Sequence, residues 1–205
     1  MTPAELIEKY GSIESKARLP ETFFAQEAVR IEDGIKVSNT NYWFTTILPI
    51  LEELDIEREI ALDVGCGFGQ NTVPLVNHFD HVHGIDFCEY KIDWAKKYFP
   101  GYGVEFRVHD ITRDMPVSNI NYVQTVTVLQ HINIEDKCHI LPNIYSCLAK
   151  GGVAILAEGR VVQGLEEDKI SSKQKHMFST PLSLLEDVFD EVEYSNGILV
   201  CRKNK

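Results

Sequence analysis

A glycine-rich turn behind a short apolar stretch constrains the fold more than any other feature of the sequence. Residues 62–70 have the sequence LDVGCGFGQ, with glycines at alternate positions, Gly65, Gly67 and Gly69. Ordering a glycine costs more backbone entropy than ordering any other residue. Three in one turn therefore indicate that a ligand must approach the backbone closely, where a Cβ would block it.

Strand and helix patterns alternate after this point. Apolar or β-branched stretches predict strands at 60–64, 81–86, 104–108, 121–129 and 153–158. Helices are predicted between them, at 70–79, at 90–99, and from a cap at Asn133 to Gly151-Gly152. This order predicts a parallel sheet with helices on both faces.

The two ends of the chain have their own patterns. Thr2-Pro3-Ala4-Glu5 is typical of a capping box, and 41–54 has helical apolar spacing with a kink predicted at Pro49. We predict an N-terminal helical segment over 1–57, a lid or substrate cap, before a domain at 58–205. Near the other end a helix is predicted at 180–189, and Asn196-Gly197 predicts a hairpin at a sheet edge with an antiparallel last strand.

Composition narrows the class of function. The 205 residues carry a net charge of −11, and we find no basic cluster, which disfavours nucleic acid as a partner. The five cysteines are odd in number and form no C-x-x-C pair, so we expect reduced thiols in a cytoplasmic protein. We expect no metal, although His78, His81 and His83 lie close in sequence, and neither a membrane span nor a secretory leader.

Three features lie at the carboxyl ends of adjacent predicted strands, where open α/β sheets bind ligands. The glycine spacing is G-x-G-x-G, and Gln70 stands where a dinucleotide fingerprint has its third glycine. Asp86 follows at the distance expected for an acid that binds a ribose diol. Asp110-Ile111 ends the third strand, where the carboxylate can accept from an amine and the isoleucine can cover a ring. Alone, each feature also fits a turn or a helix cap.

Together these residues resemble class I S-adenosylmethionine-dependent methyltransferases. The resemblance covers roughly 55–205 and rests on five stretches: LDVGCGFGQNT (62–72), HGIDFCEYKIDWAKK (83–97), VHDIT (108–112), TVTVLQHI (125–132) and LAKGGVAIL (148–156). It implies a Rossmann-like, seven-stranded, mostly parallel sheet with an antiparallel last strand. It also implies S-adenosylmethionine as cofactor and S-adenosylhomocysteine as product.

The resemblance assigns roles residue by residue. Asp63 would orient the loop and the methionyl amine, Asp86 would bind the ribose, and Phe87 would lie along the adenine. The remaining cofactor contacts would be the glycine loop, the end of the third strand and the end of the fourth: Gly65, Cys66, Gly67, Asp110, Ile111, Thr127 and Gln130.

His131 is the candidate general base, because an imidazole titrates near neutral pH and this one follows the fourth strand. The alternative is a histidine that bonds a loop carbonyl. Substrate contacts are predicted at Glu158 and Arg160 after the fifth strand, at His176, and at Tyr42 and Trp43. For the two aromatic residues, a helix that packs its apolar stripe on the sheet is an equally good interpretation.

The acceptor class follows by elimination. The sequence lacks the N/D-P-P-Y motif of amino-methylating DNA enzymes, a Pro-Cys after the fourth strand, and the double-glutamate hairpin of protein arginine methyltransferases. We therefore predict methylation of an oxygen or nitrogen of a small polar molecule. A methyltransferase acting on protein or RNA, or a non-catalytic S-adenosylmethionine-binding module, are the alternatives, with a dinucleotide oxidoreductase more distant. Oligomeric state stays open.

Overall fold

The central element is a seven-stranded sheet. The computed structural model of the chain describes residues 1–10, 42–158, 161–162, 178–195 and 197–204. The strands of the sheet are β1 Ile60–Val64, β2 His81–Asp86, β3 Val104–Val108, β4 Ile120–Val126, β5 Leu148–Ala157, β8 Glu191–Ser195 and β9 Ile198–Arg202. Strand order in the sheet is β3-β2-β1-β4-β5-β9-β8. Strands β6 Val161–Val162 and β7 Thr180–Pro181 pair in a separate short sheet.

The first five strands pair in parallel, and β9 pairs antiparallel with both β5 and β8. This confirms the predicted sheet, including a terminal hairpin at its edge. Gly197 in the hairpin turn has φ +83°, which glycine adopts without strain. Strand order reverses between β1 and β4, which is where sheets of this kind bind ligands.

Helices cover both faces of the sheet. The α-helices are α1 Pro3–Tyr10, α2 Leu48–Glu53, α3 Glu89–Tyr98, α4 Ile134–Cys147 and α5 Leu182–Glu186. One face is buried by α1, α4 and α5, and the other by α2 and the residues around it. None of the helices in the described ranges is both long and apolar enough to cross a bilayer.

The N-terminal elements pack directly on the sheet domain. The capping box is present, because Glu5 N donates to Thr2 Oγ1 at 3.4 Å and Thr2 N donates to Glu5 Oε2 at 2.6 Å. Leu6 and Tyr10 of α1 are fully buried in the core. The boundary predicted at residue 57 stays a prediction, since 11–41 lie outside the described residues.

Four predicted helices differ from the structure. The one predicted at 180–189 is the shorter α5, Leu182–Glu186, because Thr180–Pro181 forms β7. The stretch after the glycine loop forms a 3-10 helix, Val73–Asn77, because Pro74 has no N–H to donate to an i−4 carbonyl. The helix over 41–54 begins as a π-helix, Trp43–Ile47, in which Leu48 N donates to Trp43 O. It continues as α2 with Pro49 in its first turn, and the kink predicted at Pro49 stays a prediction.

The fourth difference concerns the end of α4. The helix stops at Cys147, and β5 already begins at Leu148 instead of after the glycine pair. Leu148 pairs with Ile120, and the register then shifts before Tyr122 pairs with Val153. Gly151 has φ +78°, so the glycines serve an irregularity in the strand rather than a helix end.

Candidate active site

A pocket of about 300 Å³ opens at the carboxyl edge of the sheet, where the strand order reverses. Its size lies at the lower end of the range for small-ligand sites. The walls come from the glycine loop, the end of β2, the loops after β3 and β4, and the start of α4. Lining residues from these five segments and from the first turn of α3 include Gly65, Gly67, Phe68, Asp86, Phe87, Lys91, Asp110, Ile111, Thr127, His131 and Asp136.

The glycines of the loop meet different steric demands. Gly65 has φ +72°, and a Cβ there would lie 2.5 Å from Val128 Cγ2. Gly67 has φ +54°, but a Cβ there would meet no atom of the described residues within 4 Å. Gly65 is therefore required for packing between the two strand ends, whereas Gly67 leaves open space on the pocket side.

Asp86 fastens the loop to the second strand. Its Oδ2 accepts from Gly67 N at 3.0 Å, and its Oδ1 accepts from Cys88 N at 2.9 Å, just before α3. The side chain is thus fixed by two backbone donors and still lines the pocket. A carboxylate can accept about four hydrogen bonds, so this arrangement is compatible with binding a pair of hydroxyls.

Asp63 lies beneath the loop, at the end of β1. The carboxyl group is almost fully buried, and Oδ2 accepts from Thr72 Oγ1 at 2.5 Å. Burial raises the pKa of Asp63 from an ordinary value of 3.8 to about 7, and the charge of Asp86 adds to the rise. A nearby cation would favour the ionised form of this group, so the site is suited to a positively charged ligand.

The loop after β3 places a carboxylate and an apolar side chain on the pocket wall. Asp110 Oδ1 accepts from Thr112 N at 3.1 Å and from Thr112 Oγ1 at 2.7 Å, which closes a tight turn. Ile111 O accepts from Asn143 Nδ2 of α4 at 2.9 Å. These contacts hold the loop against α4 and fix the wall that Ile111 and Phe87 share.

His131 ends a 3-10 turn, Leu129–His131, directly after β4. The turn is held from beneath by Glu158, which accepts from Thr125 Oγ1 at 2.8 Å and from the backbone N of Val128 and of Gln130, each at 3.2 Å. Burial raises the pKa of Glu158, and these hydrogen bonds oppose the rise. Glu158 therefore positions the segment that presents His131 to the pocket.

Thr127 starts the same segment in a strained conformation. Its φ is +58°, which is uncommon for a β-branched residue. Thr127 N donates to Ala157 O at 2.9 Å, so the strain is held by the neighbouring strand. Strain of this kind persists where the surrounding structure imposes it, often at functional sites.

Charge in the pocket is predominantly negative. Three lining carboxylates, Asp86, Asp110 and Asp136, stand against one lysine, Lys91, among the described residues. Asp63 lies just below them, with Asp86 close enough to influence its pKa. An acidic pocket with apolar walls favours a cationic ligand that has a flat or apolar part.

Comparison with known proteins identifies the domain. Residues 61–152 match the family described as a methyltransferase domain, and they include the glycine loop, Asp86, Asp110 and His131. Residues 61–152 form a class I methyltransferase domain. Sheet order and the antiparallel β9 agree with this family assignment.

Individual relatives of this methyltransferase domain are distant. Phosphoethanolamine N-methyltransferase of Plasmodium falciparum is 24% identical over 159 residues, which cover 75% of this chain and 59% of that protein. Carboxy-S-adenosyl-L-methionine synthase of Psychromonas ingrahamii is 24% identical over 194 residues, covering 89% and 74%. Phosphoethanolamine N-methyltransferase 2 of Haemonchus contortus, solved with S-adenosyl-L-methionine, has a TM-score of 0.58 at 23% identity and covers 71% and 37%. The chain thus spans well under the full length of the first and third proteins.

The structure brings most of the predicted cofactor residues of the methyltransferase domain to the pocket. Those at the wall are Gly65, Cys66, Gly67, Asp86, Phe87, Asp110, Ile111 and Thr127. Asp63 and Gln130 lie outside the described lining, beneath the loop and behind His131 respectively. Gln130 Nε2 lies 3.3 Å from His131 Nε2, and the backbone oxygen of Gln130 accepts from Phe178 N at 2.7 Å. Gln130 therefore supports His131, the candidate base.

The predicted substrate residues are placed differently. Trp43 is fully buried in the core, as the helix-packing interpretation expects, and donates from Nε1 to Gln124. Tyr42 is partly exposed, and burial together with the charge of Glu158 raises its pKa. Arg160 and His176 lie outside the described residues. Substrate contact by any of these side chains stays a prediction.

Several residues of the methyltransferase pocket were not predicted from the sequence. Phe68, Lys91 and Asp136 line it, although none of the three was assigned a contact; Phe68 lies within the glycine motif. Lys91 is in the first turn of α3, three residues beyond the Cys88 cap, and could have been found from helix geometry alone. The position of Asp136 depends on how α4 packs across the sheet, which no local pattern reveals.

Proposed function

We propose that the chain binds S-adenosylmethionine in this pocket and transfers its methyl group to an oxygen or nitrogen of a small polar acceptor. The observation that carries the proposal is the acidic pocket at the β1/β4 reversal, with glycine backbone on one side and His131 on the other. The names of the Plasmodium and Haemonchus relatives support the reaction type and a small polar acceptor.

Each wall of the pocket fits one part of the cofactor. Asp86 would accept from the ribose hydroxyls, and Asp110 from the exocyclic amine of the adenine. Phe87 and Ile111 would cover the two sides of the ring. Gly67 would allow the methionine part to pass close to the backbone, and the negative charge of the pocket would favour the sulfonium.

The chemistry is in-line displacement at a sulfonium methyl. A lone pair of the acceptor forms the new bond to the methyl carbon as the carbon–sulfur bond breaks, and that electron pair stays on sulfur as a neutral thioether. Because the leaving group is already good, the protein contributes mainly alignment. An acceptor hydroxyl or ammonium must also lose a proton, which His131 would take. Glu158 holds the turn on which His131 lies.

Calorimetric titration of S-adenosylmethionine and S-adenosylhomocysteine into the pure protein tests the cofactor. Asp86→Asn should weaken binding by about tenfold or more, since a hydrogen bond to a charged group contributes about 1.5–3 kcal/mol. Asp80→Asn is the matched control, because Asp80 is exposed and directly precedes β2, at the opposite edge of the sheet. A wild-type protein that binds neither sulfur nucleoside, or binds NADH instead, contradicts the proposal.

Turnover is tested with S-adenosylmethionine labelled in the methyl group and a metabolite extract. We expect label in small molecules and formation of S-adenosylhomocysteine. His131→Ala should lower the rate by about 100-fold, the lower end for general base catalysis, with cofactor affinity almost unchanged. Undiminished turnover in this variant would remove His131 as the base.

The same experiment separates the alternatives. Label in protein or RNA fractions would favour a macromolecular acceptor. Cofactor binding without transfer to any fraction would favour a binding module. The Psychromonas relative is named for the synthesis of a carboxy derivative of S-adenosylmethionine, so mass spectra of the recovered cofactor are part of the assay. A change in the mass of the cofactor without methyl transfer would favour a reaction of that type.

A further inference from the structure

A buried glutamine joins the N-terminal π-helix to the glycine loop. Gln124 lies in the middle of β4 and is fully buried. Its Oε1 accepts from Trp43 Nε1 at 3.0 Å and from Tyr122 Oη at 3.2 Å. Its Nε2 donates to Asn71 O at 3.0 Å, at the point where the glycine loop leaves the pocket.

The amide also contacts the carboxyl group of Asp63. Asp63 and Gln124 are direct partners in the register of β1 and β4, and a hydrogen bond from the amide lowers the pKa of Asp63. Asp63 and Asn71 lie on either side of the glycine loop, before and after Gly65–Gly69. One side chain therefore holds both ends of the loop.

The indole of Trp43 fixes which way the amide points. An indole N–H can donate but not accept, so the oxygen of the amide must face Trp43. The NH2 group is then directed at Asn71 O and at Asp63, both of which need a donor. With the orientation reversed, two N–H groups would meet and a carbonyl oxygen would face a carboxylate in a buried site, which is costly.

We propose that Gln124, oriented by the indole of Trp43, is a positioning residue for the cofactor site. It holds the Asp63 carboxyl group and the Asn71 end of the glycine loop in the arrangement that binds the cofactor. The π-helix therefore has a specific task, which is to deliver the Trp43 N–H to the sheet. This inference rests on the proposed binding of S-adenosylmethionine.

The role of Gln124 predicts an effect of pH that a purely structural residue would lack. Two groups that face Asp63 lower its pKa, the Thr72 hydroxyl and the Gln124 amide. The Asp86 carboxylate raises the pKa of Asp63, and the Cys66 thiol is also near. Tyr122 adjoins the same network from β4. Removal of the amide donor raises the pKa of Asp63 further, so a higher pH is needed before the carboxylate that favours a cation is formed.

The test compares cofactor affinity as a function of pH in three proteins. In the wild type, the affinity for S-adenosylmethionine should rise with pH through about pH 7, where Asp63 is half ionised, and level off above about pH 8. In Gln124→Met the plateau should begin about one pH unit higher, with about fivefold weaker binding at pH 7. Asn121→Leu is the matched control, because Asn121 is a buried amide at the other end of β4 and accepts from Ile60 N. The pH profile of this variant should equal that of the wild type.

Equal pH profiles for Gln124→Met and the wild type would overturn the inference. Trp43→Phe provides a second variant, which keeps the aromatic packing and removes the N–H. We expect its pH profile to shift in the same direction as that of Gln124→Met, but by less. An unshifted profile counts against the inference.

The inference and the proposed function fail separately. Carboxyl chemical shifts of Asp63, followed by NMR as a function of pH in the cofactor-free proteins, report its pKa directly. A higher pKa in Gln124→Met than in the wild type and Asn121→Leu supports the positioning role even if no sulfur nucleoside binds. An unchanged pKa overturns it even if the wild type binds the cofactor tightly.

Discussion

Asp63→Asn should change how the stability of the cofactor-free protein depends on pH. Asp63 is almost fully buried, and its pKa is about 7 in the folded protein against an ordinary value of 3.8. The folded protein must therefore bear an unfavourable charge at neutral pH, or hold a proton that the unfolded chain has released. Asparagine has the same shape and no charge, so the variant isolates this effect.

The magnitude follows from linkage. The rise from 3.8 to about 7 is about 3 units, and each unit corresponds to about 1.36 kcal/mol, so ionisation opposes folding by about 4 kcal/mol above pH 8. Because the pKa of this carboxyl group is higher in the folded than in the unfolded state, the folded state binds more protons. The free energy of unfolding therefore falls as the pH rises towards 7. Between pH 5 and pH 7 the wild type should lose about 2 kcal/mol relative to the variant.

Urea unfolding at several pH values measures this difference. Constant effects of the new amide, such as its changed contact with Gln124, cancel when one pH is compared with another. A difference between the two proteins that does not vary between pH 5 and pH 8 would refute the reasoning. The same variant should bind S-adenosylmethionine more weakly, which would mean that Asp63 is retained for binding at the expense of stability.

Two further predictions concern local structure. Asn133 Oδ1 caps α4 by accepting from Asp136 N at 2.8 Å. In urea titration, Asn133→Ala should lower the free energy of unfolding by about 1 kcal/mol. An unchanged midpoint would show that the cap contributes nothing. Gly65→Ala should destabilise more than Gly67→Ala in thermal unfolding, because both have positive φ but a Cβ at Gly65 also meets Val128 at 2.5 Å. Gly67→Ala should remain folded and lose cofactor affinity by calorimetry; equal melting temperatures for the two variants would contradict this account.

Elements with local determinants were predicted well from the sequence. The capping box at Thr2 and Glu5, the cap at Asn133 and the turn at Gly197 each depend on residues a few positions apart, and all three are present. The order of strands and helices followed from apolar periodicity. The glycine loop, Asp86 and Asp110 could be assigned to one site because parallel strands bring their carboxyl ends to the same edge of a sheet.

Features set by contacts between distant residues could not be predicted in this way. The hydrogen bonds by which Glu158 holds the His131 turn depend on the pairing of β4 with β5, whereas the substrate contact predicted for Glu158 stays a prediction. The end of α4 at Cys147 depends on the pairing of Leu148 with Ile120. In each case a partner more than 25 residues away determines what the side chain or backbone does.

The sequence by itself determined the order of elements, the ligand edge and the acids that reach it, because these follow from periodicity and turn chemistry. Only the tertiary structure decided that Trp43 faces the sheet and that its indole orients Gln124 beneath the glycine loop. The physical reason is that a buried amide takes its orientation from all of its hydrogen-bond partners together. Those partners, at 43, 63, 71 and 122, come together only when the N-terminal π-helix packs on the sheet beside β1, the glycine loop and β4.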